Sequence, residues 1–384
     1  MKNITLSTTF LMIMTIVIEA NTFTNAFENA TVDGYTRAGY EIHNVKDDDT
    51  FNDGALGGKL HIETASISGM SVGASFYTSN SFGSADNRGL VPFRGEAAHS
   101  YTILGEAYFK AVFGNTTLKL GRQEIETPFA QVDDIGIVPN TFEAYILENK
   151  DLPDTTLFIG HIQKMAGVDA EVVDTFTRVN GDNNMQVIGL HYEGIKDLTL
   201  DTWYYKLKDA ETDSIFYVET SYEGAINNVD YGLGLQYAKQ TYLNEEDASI
   251  YGISASLNHE NTGLTLGVAY NKADGNAATS GFGGGPFFSN SEYLIIDNAG
   301  VDGSQTWLGL EWDGSSAGMN GLTFGISKAR LKNKNSQTST EVDLVASYEM
   351  NKNVEIHMIY SDLNGVNVGE DNAKHLRVFA NYNF

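Results

Sequence analysis

The stretch Lys374–Phe384, KHLRVFANYNF, places Leu376, Val378, Ala380, Tyr382 and Phe384 on one side of an extended chain and His375, Arg377, Phe379, Asn381 and Asn383 on the other. Successive side chains of a strand point to opposite faces, so this segment carries one almost wholly apolar face and one mostly polar face. It ends on an aromatic residue. A water-soluble sheet blunts such a terminal strand with charge, proline or a cover, and none of these is present here. Closure removes the conflict. If the last strand pairs with the first, no edge is left, and the apolar face can meet lipid while the main chain is satisfied internally.

Working outward, similar alternation recurs from Val32 onward between clusters of Gly, Asn and Asp. Val32, Gly34, Thr36, Ala38 and Tyr40 oppose Asp33, Tyr35, Arg37, Gly39 and Glu41, and near the other end Val354, Ile356, Met358 and Tyr360 oppose Glu355, His357 and Ser361. About 18 such runs are found, an even number as a single-chain bacterial barrel requires. The connections sort by parity. After even-numbered runs they are short, as at Gly114–Asn115, Glu260–Asn261 and Asn351–Lys352; after odd-numbered runs most are long, as at Ser79–Ser100, Ile125–Thr141, Lys164–Asn184 and Ala273–Ser304. Short turns at one end and long loops at the other are the asymmetry of a transmembrane antiparallel β-barrel, with periplasmic turns and extracellular loops. Charge is costly against lipid, so the polar set must line the interior. A cylinder of about 18 strands is wide enough for an aqueous channel.

Composition agrees. The 384 residues include Gly 39, Tyr 20, Phe 20, Pro 5 and Cys 0, which suits long strands, tight turns and aromatic girdles and gives no thiolate metal site. A formal charge of -26 argues against nucleic acid as a partner. Residues 1–20 read as a signal peptide, with Lys2, a mainly apolar stretch Ile4–Ile18 and a small residue at Ala20, or as late as Ala26, for cleavage. Residues 27–384 then form one outer-membrane barrel.

The segment Leu118–Gly167, LKLGRQEIETPFAQVDDIGIVPNTFEAYILENKDLPDTTLFIGHIQKMAG, resembles the OprD family of outer-membrane porins, and GPFFSNSEYL at Gly285–Leu294 followed by QTWLGLEW at Gln305–Trp312 is a second point of similarity. The resemblance implies a channel of roughly 18 strands whose third loop, here 125–141, folds inward. It also implies that basic wall residues oppose acids on that loop and select carboxylate-bearing solutes such as amino acids. A carboxy-terminal strand ending at Phe384 looks like the signal read by the barrel-assembly machinery.

Loop 125–141 mixes Ile125, Phe129, Val132, Ile135, Ile137 and Val138 with Glu126, Asp133 and Asp134, too apolar for a solvated loop and too acidic for lipid, and Pro128 and Pro139 restrict it. The candidate constriction and pore-lining residues are Arg37, Lys59, Lys110, Arg122, Glu124, Glu126, Asp133, Asp134 and Arg377. Arg122 alternates in phase with Leu118 and Leu120, so it reaches the lumen only through a bulge at Gly121 or from the rim. Inward-reading acids, among them Glu63, Glu106, Asp201, Glu219, Glu311, Glu341, Asp343 and Glu355, outnumber the bases, and rings of Asp and Glu favour cations.

The expectation is a passive, acid-lined channel for small hydrophilic solutes, cation-preferring or weakly selective, seated in outer-membrane lipid as a monomer or a homotrimer, with no cofactor. The competing class is an adhesive or structural barrel with a plugged lumen. Enzyme chemistry finds no support. The eight His lack metal-site spacing, His99–Ser100 has no defined acidic partner, and Gly281–Gly285 lacks the lysine and helix of a phosphate loop and reads as a flexible stretch. Asp47–Asp49 reads as surface charge.

Overall fold

The computed structural model describes residues 20–46, 50–81, 99–365 and 372–384. The expected signal segment up to Glu19, the triple aspartate 47–49 and most of the second loop lie outside the described residues. The chain enters through a short helix, α1 (Ala20–Glu28). Then follow β1 (Thr31–Val45), β2 (Phe51–Glu63), β3 (Met70–Ser81), β4 (Tyr101–Phe113), β5 (Thr116–Gln123) and β6 (Thr141–Asn149). The next six are β7 (Thr155–Ala166), β8 (Met185–Ile195), β9 (Leu198–Lys206), β10 (Thr212–Ile226), β11 (Val229–Tyr242) and β12 (Ala248–His259). The last six are β13 (Leu264–Gly275), β14 (Ser304–Asp313), β15 (Leu322–Lys332), β16 (Thr338–Asn351), β17 (Val354–Gly365) and β18 (Ala373–Asn383).

Each strand pairs antiparallel with the next, and β18 pairs with β1 from Tyr35 opposite Asn383 to Val45 opposite Ala373. The sheet is therefore a closed 18-strand barrel. At the seam the main chains of Gly34 and Phe384 exchange two hydrogen bonds of 3.2 and 3.1 Å. A side chain at Gly34 would put its Cβ 2.0 Å from the Lys59 carbonyl oxygen, so glycine is required where three strands crowd together.

Leu60, Phe76, Ile159, Ile188, Leu235, Ile253, Leu310, Ile326 and Leu344 are among the exposed apolar side chains on the outer face. A band of this extent is untenable in water and is what a lipid-facing wall requires. Near the short-turn end, aromatic pairs stand on that face, with Trp312 stacked on Phe324 and Tyr382 on Phe384, both at 6.3 Å between ring centroids. The opposite phase points inward. Along β1, Arg37, Gly39, Glu41 and His43 are buried, and along β18, His375, Arg377 and Phe379 are buried, as alternation requires.

Register slips in β4. Ser75 faces Glu106 whereas Phe76 faces Leu104, so Gly105 is an extra residue. That bulge lets Tyr101 and Ile103 above it and Glu106, Tyr108 and Lys110 below it share the interior. The turns are tighter than sequence limits indicate at Asn227–Asn228, because β10 runs on to Ile226.

Candidate functional site

β5 ends on Gln123, whose side-chain amide donates to the carbonyls of Lys119, Gly121 and Ala144 at 3.3, 3.2 and 3.1 Å. These bonds turn the chain off the wall. The following segment makes a small hairpin, Glu126–Thr127 against Ala130–Gln131, around Pro128. Ile125, Phe129 and Ala130 bury themselves against inward apolar residues of β6 to β10, with Phe129 edge-on to Tyr205 and Tyr217, each at 5.5 Å. The loop then crosses the lumen. Ile137 and Val138 pack with Ala55, Tyr77 and Ile103 on the far wall.

Arg37 fastens this end. Its guanidinium donates to both Asp134 carboxylate oxygens at 2.6 and 2.9 Å and to the Gly136 carbonyl at 2.5 Å, while its Nε donates to Asn381 at 2.7 Å. A planar five-donor group can serve one carboxylate and two other acceptors at once, which an ammonium could not do in the same geometry. The Tyr35 hydroxyl adds a bond to the Ile137 carbonyl at 3.0 Å.

The residue pattern points to an inward fold for the third loop alone; the structure adds the seventh, 276–303. Its Phe282 accepts from Gln131 N at 3.1 Å and donates to the Phe129 carbonyl at 2.8 Å, so the two loops join main chain to main chain. The glycine run is not a flexible linker here. Gly281 and Gly284 hold left-handed φ of 80° and 79°, and a Cβ at Gly284 would meet Gln131 Oε1 at 2.0 Å. The run lets one loop lie flat on the other. Beyond it, Tyr293 N and Leu294 N donate to the Glu341 carboxylate at 3.1 and 2.6 Å, Ser291 to Asp343 at 2.6 Å, and the Tyr293 hydroxyl to Glu41 at 2.9 Å. The wall carboxylates read from alternation thus serve as anchors for main-chain donors that burial would otherwise strand.

The basic side chains form one file on the same side of the barrel. Arg377 pairs with Glu292 at 2.8 Å, Lys59 with Glu124 and Glu106 at 2.9 and 3.1 Å, and Lys110 with Glu63 at 3.1 Å. Lys119, absent from the sequence-derived set, joins them. It lies 3.5 Å from Glu106 and 4.0 Å from the centre of the Tyr108 ring, and strand parity opposite Leu118 and Leu120 was the signal for it.

Arg122 stands apart from this file. It contacts Glu143 at 3.7 Å, the Leu104 carbonyl at 3.2 Å and the Phe176 ring at 4.3 Å, and Glu143 in turn holds Lys164 at 2.9 Å. Its outward phase puts that chain of charges on the other side of the wall near the loop end.

Glu126 borders a pocket of about 350 Å³ with Asp201, Trp203, Tyr217 and Glu219. Burial raises the Glu126 carboxyl above its ordinary range, and the nearby Glu124 and Asp134 charges add to the effect. Asp133, at a left-handed φ of 41°, lies where the third, fourth and seventh loops meet. Burial, and next the neighbouring Asp169 carboxylate, push it up to about 7. Asp169 is itself held by Asn140, whose Nδ2 donates to it at 2.6 Å.

A larger cavity of about 850 Å³ on the short-turn side of the loops is lined by Ser221, Ser254, Glu292, Glu311, Asp343 and His357 among others. Glu41, His43 and His375 are the grouping among the described residues whose ligand atoms, within 4.8 Å of one another, could hold a divalent metal. There the His43 Nε2 already lies 2.5 Å from Glu41, and the Tyr293 ring stacks on His375 at 4.1 Å. His99 does have an acidic partner, Asp174 at 2.8 Å, supplied by a loop far away in sequence.

The model of the family described as outer membrane porin, OprD family, matches residues 71–384. Among curated proteins none matches the chain. Solved structures with the same fold include OccK9 (OpdG) of Pseudomonas aeruginosa, with 18% identity, TM-score 0.79 and coverage of 94% of this chain and 99% of that one. A BenF-like porin from Pseudomonas fluorescens Pf-5 gives 16%, 0.80, 94% and 99%, and OccAB1 of Acinetobacter baumannii gives 15%, 0.78, 94% and 97%.

Proposed function

Because the chain belongs to the OprD family of outer membrane porins, we propose that it is a passive diffusion channel for small hydrophilic solutes whose acid-lined lumen prefers cations. The observation that carries this reading is charge accounting at the constriction. Arg37, Lys59, Lys110, Lys119 and Arg377 each lie within 3.5 Å of a carboxylate, so each cation is neutralised. Glu126, Asp201 and Glu219 gather round one pocket with no Lys or Arg among its lining residues, and Glu311 and Asp343 do the same in the larger cavity. Low-dielectric walls focus the surplus negative field on the aqueous path.

The alternative, a carboxylate-selective channel, draws on the single-sided file of basic groups. It requires an entering anion to displace the resident carboxylates from that file. Reversal potential in a planar bilayer under a KCl gradient decides between them. The cation reading expects the sign of K⁺ preference, and an anion-selective sign overturns it. Absence of any conductance from folded protein would instead favour a plugged barrel.

Export and assembly follow the same reading. A cut after Ala20 leaves all of α1 but its first residue, including Ala26, whose carbonyl accepts from Ala65 N at 3.0 Å, whereas a cut after Ala26 removes most of the helix. The earlier site is therefore preferred, and amino-terminal sequencing of the mature protein tests it. Recognition of the β18 end by the barrel-assembly machinery, and a trimeric state, are further parts of the proposal.

A further inference from the structure

Among the described residues, β15 is the one strand where the outer wall carries three cations in a row. Phe324 and Ile326 face outward, and Lys328, Arg330 and Lys332 continue that phase, all exposed, while the alternate residues Ala329 and Leu331 are buried inside. Their ladder neighbours are neutral. On β14 these are Leu308, Thr306 and Ser304, and on β16 Val342, Thr340 and Thr338.

Elsewhere at this height the outward cations have acids beside them. Lys239 pairs with Asp247 at 2.9 Å, Lys272 with Asp274 at 3.5 Å, Lys374 with Asp362 at 3.7 Å, and Lys164 with Glu143 at 2.9 Å. Among the described residues, Lys328, Arg330 and Lys332 form no ion pair. The surrounding outward acids are already engaged: Asp302 pairs with Lys334 at 2.7 Å, and Asp274 and Asp362 face the lysines just named.

Position makes the exception costly. Lys328 is four residues below the loop-side end of β15, roughly 13 Å along the strand at about 3.3 Å per residue. With ordinary barrel tilt it lies at the level of Leu308 and Val342, within the apolar band rather than above it. Long basic side chains reach up from there by lying along the wall, and they require negative charge where they end.

We propose that this face of β15 binds a phosphorylated glycolipid of the outer leaflet. The cations recur every second residue, so they form a column of positive charge from the apolar band to the strand end, matching phosphates carried on a sugar. Ser304, Thr306, Thr338 and Thr340 flank that column and offer hydroxyls to a sugar headgroup, and Tyr270, two strands away in the Arg330 row, offers an aromatic face. Charge complementarity and depth both single out a lipid occupant: a soluble anion would not reach Lys328, and the same face of a second copy of this chain would bring like charge.

The test uses the full mature protein folded in mild detergent and titrated with purified bisphosphorylated lipid A, dephosphorylated lipid A or phosphatidylglycerol, with thermal unfolding and native mass spectrometry as readouts. The variant is Lys328→Gln, Arg330→Gln, Lys332→Gln combined, and Lys239→Gln is the control. Wild type should bind and be stabilised by the bisphosphorylated lipid, weakly by the other two. The triple variant should bind it roughly a hundredfold more weakly, on the rule that a basic side chain near an anionic surface is worth about a fivefold gain. Its conductance and lipid-free stability should match wild type, which separates this inference from the channel reading. Equal binding by the triple variant, equal stabilisation by phosphatidylglycerol, or a change of oligomer mass in place of lipid loss would each overturn the assignment.

Discussion

At the scale of single residues, Asp133 and Arg37 are where the proposed constriction is most directly tested. The Asp133 carboxyl, pushed up to about 7 by burial and by Asp169, is neutral in mild acid and charged above neutrality. Its ionisation adds negative charge where three loops meet, so K⁺ over Cl⁻ permeability should rise between about pH 6 and pH 8. Asp133→Asn, which tolerates the same left-handed backbone, should hold the low-pH selectivity at every pH. A pH dependence unchanged in this variant would assign the titration elsewhere. The linkage has the matching sign for stability. A carboxyl raised in the folded state favours folding below its ordinary pKa, and that contribution is lost as pH climbs through about 7. Arg37→Met should release the far end of the third loop. Removing a hydrogen-bonded charge is worth about 1.5–3 kcal/mol per bond to a charged group, discounted here because Asp134 is half exposed to water. The expected outcome is a noisier and larger single-channel current with the barrel intact by circular dichroism.

At the scale of elements, the third loop and β18 obey different rules. The loop leaves the wall because its apolar residues have cover inside the barrel and none outside it. Replacing 126–135 by a short glycine-serine linker should therefore raise conductance and weaken ion discrimination while leaving the strand content unchanged. β18 is held by pairing with both β1 and β17, and Phe384, directly after it, exchanges two main-chain bonds with Gly34. Deleting Phe384 should cost about 1–3 kcal/mol in detergent refolding, on the scale of two ordinary hydrogen bonds. A much larger loss of assembled protein in cells than in detergent would mark the terminus as a recognition signal as well as a closing contact.

At the scale of the whole molecule, two adjacent residues of β12 test the assignment of faces. Ile253 is 54% exposed on the outer wall, and Ser254 lines the large inner cavity. Ile253→Lys should destabilise the barrel by about 2–4 kcal/mol, the cost of a cation near the membrane midplane. Ser254→Lys should leave stability almost unchanged and shift reversal potential toward anions. Chemical unfolding from lipid vesicles and bilayer recording read the two effects, and reversal of the pattern would invert the faces.

Alternation alone determined the closed barrel, its parity of turns and loops, and the face on which Arg37, Lys59, Lys110 and Arg377 lie, because side-chain direction in a strand is a local property of period two. The inward bend of the third loop was also legible, since Ile125, Phe129 and Ile137 are apolar in a segment that also carries acids. Lys119 was readable by the same parity. Only the tertiary structure decided the rest. It put Arg122 beside Glu143 and away from the basic file, paired each lumen cation with its carboxylate, brought His99 to Asp174, and laid the seventh loop across the lumen on its glycines. Those outcomes depend on which distant segments meet, and a closed cylinder lets residues hundreds of positions apart, such as Arg37 and Asn381, become neighbours.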